Sequence, residues 1–132
     1  MASENVELVR RLTEAINARE VPDDLLDPEI CLENVTTAVT NEVYRGREGA
    51  RKWMDDLYEA MDESATYETL EIVAEGDDFV VAVVRFSGRG RLSGAPLELR
   101  YLSVTWIREG RIVRGAGFQS RREALEAVGL SG

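Results

Sequence analysis

Between residues 66 and 119 the chain holds four apolar runs of strand length, separated by short polar turns. The runs span about 66–74, 78–87, 97–108 and 111–119, and the turns are "EGDD" (75–78), "GRGRLSGAP" (88–96) and "REGR" (108–111). Glu109-Gly110 between two apolar runs is a tight hairpin signal. Strands joined by turns this short pair antiparallel, so the second half of the chain predicts a meander.

A sheet with apolar faces has to be covered. The first half of the chain supplies the cover. Leu8, Val9, Leu12, Ala15 and Ile16 recur at helical spacing and predict a helix over 4–19. Ser3 or Asn5 can cap it, and Glu4 and Glu7 stand where the dipole favours anions. Pro22 opens a short helical turn that Pro28 stops. "EICLENV" (29–35) reads as a short strand, followed by the polar loop "TTAVTNEVYRG". Ala50, Trp53, Met54, Leu57, Tyr58 and Met61 mark the clearest helix, about 47–62, with Arg51–Asp55 and Lys52–Asp56 at i,i+4 on its wet side. "SRREALEAVGL" (120–130) is a punctuated helix. Ser120 caps it, Glu123 stands at capping-box spacing, Gly129 fits the left-handed stop, and Leu130 is placed to touch Leu125. Helices followed by antiparallel strands predict an α+β fold. A strongly curved sheet with helices on its concave side would enclose a pocket.

The 132 residues fit a single domain over 1–132, and 44% apolar residues suffice for a core. A net charge of −9 repels phosphate backbones, so neither nucleic acid nor an anionic membrane is an expected partner. No apolar run approaches the ~20 residues of a membrane helix. "MASENVELVRR" has no signal-peptide core, and the lone Cys31 allows no internal disulfide, so a cytoplasmic location is expected. "NVT" (34–36) matches a glycosylation acceptor and is discarded without a secretion signal. The chain has no histidine, one cysteine and no oxygen-rich loop with calcium spacing, so no metal and no cofactor are expected. Without an imidazole to activate it, Cys31 reads as a small core or strand residue.

"IVRGAGF" (112–118) carries the most pointed local signal. Two glycines on one face of a strand, Gly115 and Gly117, leave a hole where side chains should be. Room for a ligand is one reading; a bulge or the close approach of a helix is the other. On the strand 97–107, Leu97, Leu99, Tyr101, Ser103, Thr105 and Ile107 share one face, assigned to the cavity. The opposite face has charged ends and an apolar middle, Leu102, Val104 and Trp106, as a homodimer contact would. Packing against a loop of the same chain is the alternative for Trp106. On 29–35, Leu32 and Asn34 share a face, with Cys31, Glu33 and Val35 on the other. Asn34, Tyr101, Ser103 and Thr105 then form a polar strip inside an apolar cup that Tyr44, Trp53, Leu57, Gly115, Gly117 and Phe118 help to line. Such a strip suits a neutral ligand with a carbonyl or hydroxyl, unless these groups satisfy one another or a buried water. Arg85 interrupts "FVVAVVRF"; it is either that strand's exit to water or a cavity charge needing a partner such as Glu33 or Glu71.

Taken in order, "ENVELVRRLTEAINARE", "LLDPEI", "VYRGREGARKW", "WIREGRIVR" and "REALEAVGL" resemble the SnoaL-like branch of the nuclear transport factor 2-like superfamily over roughly 5–130. The resemblance implies a cone-shaped curved antiparallel sheet wrapped around N-terminal helices, a deep central cavity and often a homodimer. The superfamily includes polyketide cyclases, ketosteroid isomerases, epoxide hydrolases, dehydratases and non-enzymatic binding modules, so the fold does not settle function. Relatives often carry a histidine where "SVTWIREG" has Ser103, and branched apolar residues where this chain has Gly115 and Gly117.

Three functions remain open on these residues. The first is a protein that binds a small hydrophobic molecule in its cavity. The second is an acid–base enzyme of the cyclase, isomerase or hydrolase type, with Glu33 as base and Tyr101 or Tyr44 as donor. The third is an interaction module whose sheet face binds another protein. Carboxylates limit the second reading. Asp77 and Asp78 sit in a turn, and alternation sends most of Glu33, Glu68, Glu71 and Glu98 outward. Two acids sharing Arg85 or Arg100 would imitate an epoxide-hydrolase site, but the spacing does not support it.

Overall fold

The computed structural model describes residues 3–33 and 43–130. Along the chain run α1 (Glu4–Asn17), β1 (Leu26–Glu33), β2 (Val43–Arg45), α2 (Gly46–Glu59), β3 (Thr66–Glu75), β4 (Phe79–Arg89), β5 (Pro96–Arg108), β6 (Arg111–Phe118) and α3 (Arg121–Ala127). The strands form one curved, unclosed sheet in the order β2-β1-β6-β5-β4-β3. The meander β3–β6 is antiparallel throughout. β1, however, joins β6 in parallel, so the sheet is mixed rather than purely antiparallel. Two register shifts in β3, at Thr69/Glu71 and Ile72/Ala74, bend and twist that edge of the sheet.

Local signals decided the element ends. Ser3 accepts from the Val6 N–H at 3.0 Å and caps α1. The Asn5 side chain instead donates to the Gly76 and Asp77 carbonyls, tying α1 to the β3–β4 turn. At the other end of α1, Asn17 exchanges two 2.7 Å hydrogen bonds with the backbone of Tyr67, satisfying part of the edge that β3 presents. Glu109 and Gly110 both have positive φ, 53° and 75°, the tight hairpin geometry their sequence predicts. Ser120 accepts from the Glu123 N–H at 3.1 Å. Gly129 takes φ 81°, and the Leu130 N–H reaches the Leu125 carbonyl at 2.9 Å, which completes a Schellman ending.

Two element expectations need correcting. Pro28 does not stop a helical turn; it lies inside β1, which begins at Leu26. The β1–β6 pairing breaks register between Leu26 and Cys31, so the missing proline N–H falls where the ladder is interrupted. The expected loop after β1 contains β2, three residues long, whose Tyr44 pairs with Leu32.

α1 and α2 fill the concave face, and their buried stripes meet Val84, Phe86 and Tyr101 of the sheet in one apolar cluster. A second cluster joins Val6, Val9 and Leu26 to Ile30, Val80 and Ile112. The convex face is covered in part by the chain itself. Ala124 of α3 packs on Val81, Leu102 and Val104. Leu102 and Val104, expected to face a partner, are therefore buried beneath α3, which sequence alternation alone does not reveal. Trp106 stays half-buried, with the Arg114 guanidinium 4.2 Å above its ring.

The charges settle on the outside. Arg85 points to the convex face and pairs bidentately with Glu68 on the neighbouring strand, at 3.0–3.3 Å. It is not a cavity charge, and neither Glu33 nor Glu71 is its partner: Glu33 pairs with Arg114 and Glu71 with Arg121. Lys52 meets Asp56 as its spacing predicts, whereas Arg51 reaches Asp23 instead of Asp55. Exposed pairs of this kind each contribute about 0–1 kcal/mol. Among the described residues no helix is long and apolar enough to cross a membrane.

Candidate functional site

Between the concave face and the two helices lies a cavity of about 60 Å3. α1 contributes Leu12 and Ile16, the following turn Val21 and Pro22, and α2 Ala50, Trp53 and Met54. The sheet contributes Leu26, Ile30 and Leu32 from β1, Tyr67 from β3, Tyr101, Ser103 and Thr105 from β5, and Ile112 and Gly115 from β6. Strand alternation explains the β5 set, which was assigned to the inner face from the sequence. Gly115 lies between Leu32 of β1 and Thr105 of β5, so its missing side chain opens space beside the polar strip.

Six of the expected ligand-contact residues stand on this wall: Leu32, Trp53, Tyr101, Ser103, Thr105 and Gly115. Others do not. Gly117 is buried opposite Ser103 on the same face of β6, but the cavity does not extend to it. Phe118 alternates to the convex face, opposite Leu102, and packs there with the cluster under α3. Leu57 packs into the core cluster with Tyr58 and Phe86. Tyr44 is buried beside α2, where its hydroxyl donates to Asp56 Oδ2 at 2.8 Å. That hydrogen bond holds the Asp56 carboxyl below the usual range. Asn34 lies outside the described residues.

Glu33 is displaced most sharply from its expected role. It sits on the convex face, where both carboxylate oxygens accept from Arg114 at 3.2–3.3 Å. No carboxylate belongs to the cavity wall among the described residues. A general base for the acid–base reading is therefore missing from the described wall. Among the described residues, no three His, Cys, Asp or Glu side chains gather in a group fit to hold a metal.

Sequence reasoning passed over Tyr67. Its hydroxyl lies 2.9 Å from that of Tyr101, in full burial. The two residues come from β3 and β5, with β4 between them, so no local pattern announces the pair. Burial pushes Tyr67 up to about 12 and Tyr101 well above the ordinary phenol value. Both stay neutral at physiological pH. One hydrogen bond between two phenols uses one of their two protons, which leaves the other to donate elsewhere. The Trp53 Nε1–H is a further buried donor, with no acceptor among the described residues. Leaving such a group unpaired costs about 1–3 kcal/mol.

The phenols carry a pH prediction. Their folded pKa values lie above the unfolded value of about 10, so the stability tied to their neutral forms is complete below pH 10. It is lost as pH rises toward about 12. Urea unfolding is expected to show stability falling by about 1 kcal/mol per pH unit per tyrosine above pH 10. Tyr67→Phe is expected to flatten that slope, and an identical slope in the variant would show that other groups govern alkaline unfolding.

Residues 9–115 match the family model described as the SnoaL-like domain. The chain belongs to the SnoaL-like domain family. Solved structures agree on the fold. Bal32a, from a soil-derived mobile gene cassette, superposes on this SnoaL-like domain with a TM-score of 0.73 at 19% identity, covering 86% of this chain and 87% of that one. SalBIII, an epoxide hydrolase/cyclase-like enzyme of pyran ring formation in the polyether salinomycin, gives 0.72 at 19% identity over 89% and 91%. An NTF2-like protein of unknown function from Burkholderia pseudomallei K96243 gives 0.70 at 16% over 97% and 99%. At these identities the likeness concerns the fold alone. No match was found among curated proteins.

Proposed function

We propose that this SnoaL-like domain binds a small, neutral, largely apolar molecule carrying an oxygen acceptor. The observation that carries the reading is the composition of the cavity wall: among the described residues it holds apolar side chains, with Tyr67, Tyr101, Ser103 and Thr105 as the hydroxyl groups, and no charged residue. A charged ligand entering such a wall would lose its hydration without gaining a counter-ion, which costs several kcal/mol. A neutral carbonyl or hydroxyl instead gains the spare phenol proton or a Ser103 or Thr105 hydroxyl. Size restricts the ligand further. A dry cavity of about 150 Å3 takes benzene. The cavity here, about 60 Å3, suits something smaller unless its wall moves.

The test compares 2-butanone with propionate at pH 7, with binding read from NMR shifts of the wall residues. The ketone is expected to bind at least tenfold more tightly than the carboxylate. Equal binding, or no shift of Tyr101, Ser103 or Gly115 with the ketone, sinks the reading. The acid–base alternative is not favoured, because Glu33 is held by Arg114 on the far side of the sheet.

A further inference from the structure

The central cavity has a neighbour. A surface groove of about 460 Å3 is lined by Arg19, Tyr58 and Glu59 among others. Met54 is common to both: it stands on the cavity wall and on the groove wall. α1 with the residues just after it, and α2, step together from one space to the other. Ile16 faces the cavity and Arg19 the groove; Trp53 faces the cavity and Tyr58 the groove.

The partition between the two spaces has one fixed part and one free part. Tyr58 is fixed. Its hydroxyl donates to the Ile16 carbonyl at 2.6 Å, its ring meets Phe86 edge-to-face at 5.4 Å, and the Arg19 guanidinium lies 4.1 Å over the ring. Met54 is buried and is held by packing alone, since a thioether has no strong hydrogen-bonding group. Its unbranched chain moves between rotamers more easily than any branched or aromatic neighbour.

From this geometry we propose that Met54 is the side-chain gate between groove and cavity, and the residue that sets the largest ligand the cavity admits. The proposal rests on the binding reading above. With Met54 swung aside, the cavity and the groove become continuous. A molecule too long for the cavity alone then lies with its apolar end inside and its other end beside Arg19 and Tyr58.

Xenon, small enough for the cavity, is the probe, with affinity and exchange rate read by NMR. Met54→Ala is expected to raise the xenon exit rate at least tenfold and to admit benzene. Ile112→Ala enlarges the same cavity from a wall residue of the other core cluster that does not line the groove. It is expected to raise affinity without a comparable rise in exit rate. Met54→Leu conserves volume with a stiffer, branched chain; it is expected to slow exchange several-fold at unchanged affinity, and it serves if the alanine variant does not fold. If xenon binds but Met54→Ala and Ile112→Ala change its exit rate equally, or Met54→Leu exchanges like the parent, the gate is wrong and the binding reading stands. If xenon leaves the wall resonances of the parent protein unmoved, both fall.

Discussion

Gly115→Val is expected to abolish ligand binding in the central cavity while leaving the fold intact. The substitution places three carbon atoms between Leu32 and Thr105, on the wall of a space of about 60 Å3. Three added carbons take up much of so small a space. Xenon and 2-butanone affinity should fall at least a hundredfold. Valine suits a strand, and Gly115 does not have the positive φ that would make a side chain strained. The stability change should therefore stay within the 1–3 kcal/mol, of either sign, that filling or slightly overfilling a core site brings. Titration with both probes, together with urea unfolding, separates the two effects. Unaltered affinity beside a large loss of stability would mean that Gly115 serves the backbone and that the ligand sits elsewhere.

Phe86→Ala is expected to bring the largest loss of stability. The ring is 2% exposed, meets Tyr58 edge-to-face at 5.4 Å and lies tilted against Tyr67 at 6.3 Å. Truncating a phenylalanine in such a site costs about 3–5 kcal/mol, from lost transfer energy and the cavity left behind. For a domain of this size that lowers the melting temperature by on the order of 10–20 °C. Scanning calorimetry measures it directly. A loss below 1 kcal/mol would mean that Tyr58 and Met61 collapse into the space. Because Phe86 also holds Tyr58, the fixed side of the partition beside Met54, the variant should loosen that partition as well. Faster xenon exchange in Phe86→Ala than in a control truncation under α3, such as Leu102→Ala, is the accompanying expectation.

The cavity wall was legible in its strands and much less so in its helices. Tyr101, Ser103 and Thr105 follow from period-two alternation once one face of β5 is known to be inside, and Gly115 from the oddity of glycine in an apolar run. Trp53 was expected on the wall, and its neighbour Met54 was expected only as part of an apolar stripe. A helical stripe is wide enough to face both a cavity and a groove, and its spacing does not say which residue divides them. Phe118, expected on the cavity wall, falls on the opposite face, because alternation turns it away from Gly115 and Gly117.

Local order is what the sequence by itself determined: the α+β class, the meander, the Ser3 and Ser120 caps, the positive-φ hairpin at Glu109-Gly110 and the left-handed stop at Gly129. Each depends on residues within one turn or one strand of each other. Only the tertiary structure decided what depends on distant segments meeting. It set β1 parallel to β6, brought Arg114 to Glu33 across 81 positions and laid α3 over Leu102 and Val104. It also joined Tyr67 to Tyr101 across an intervening strand. The physical reason is that alternation tells a side chain which face it is on and nothing about which strand lies beside it. Strand order arises from wrapping the whole sheet around its helices, and the site depends on that order.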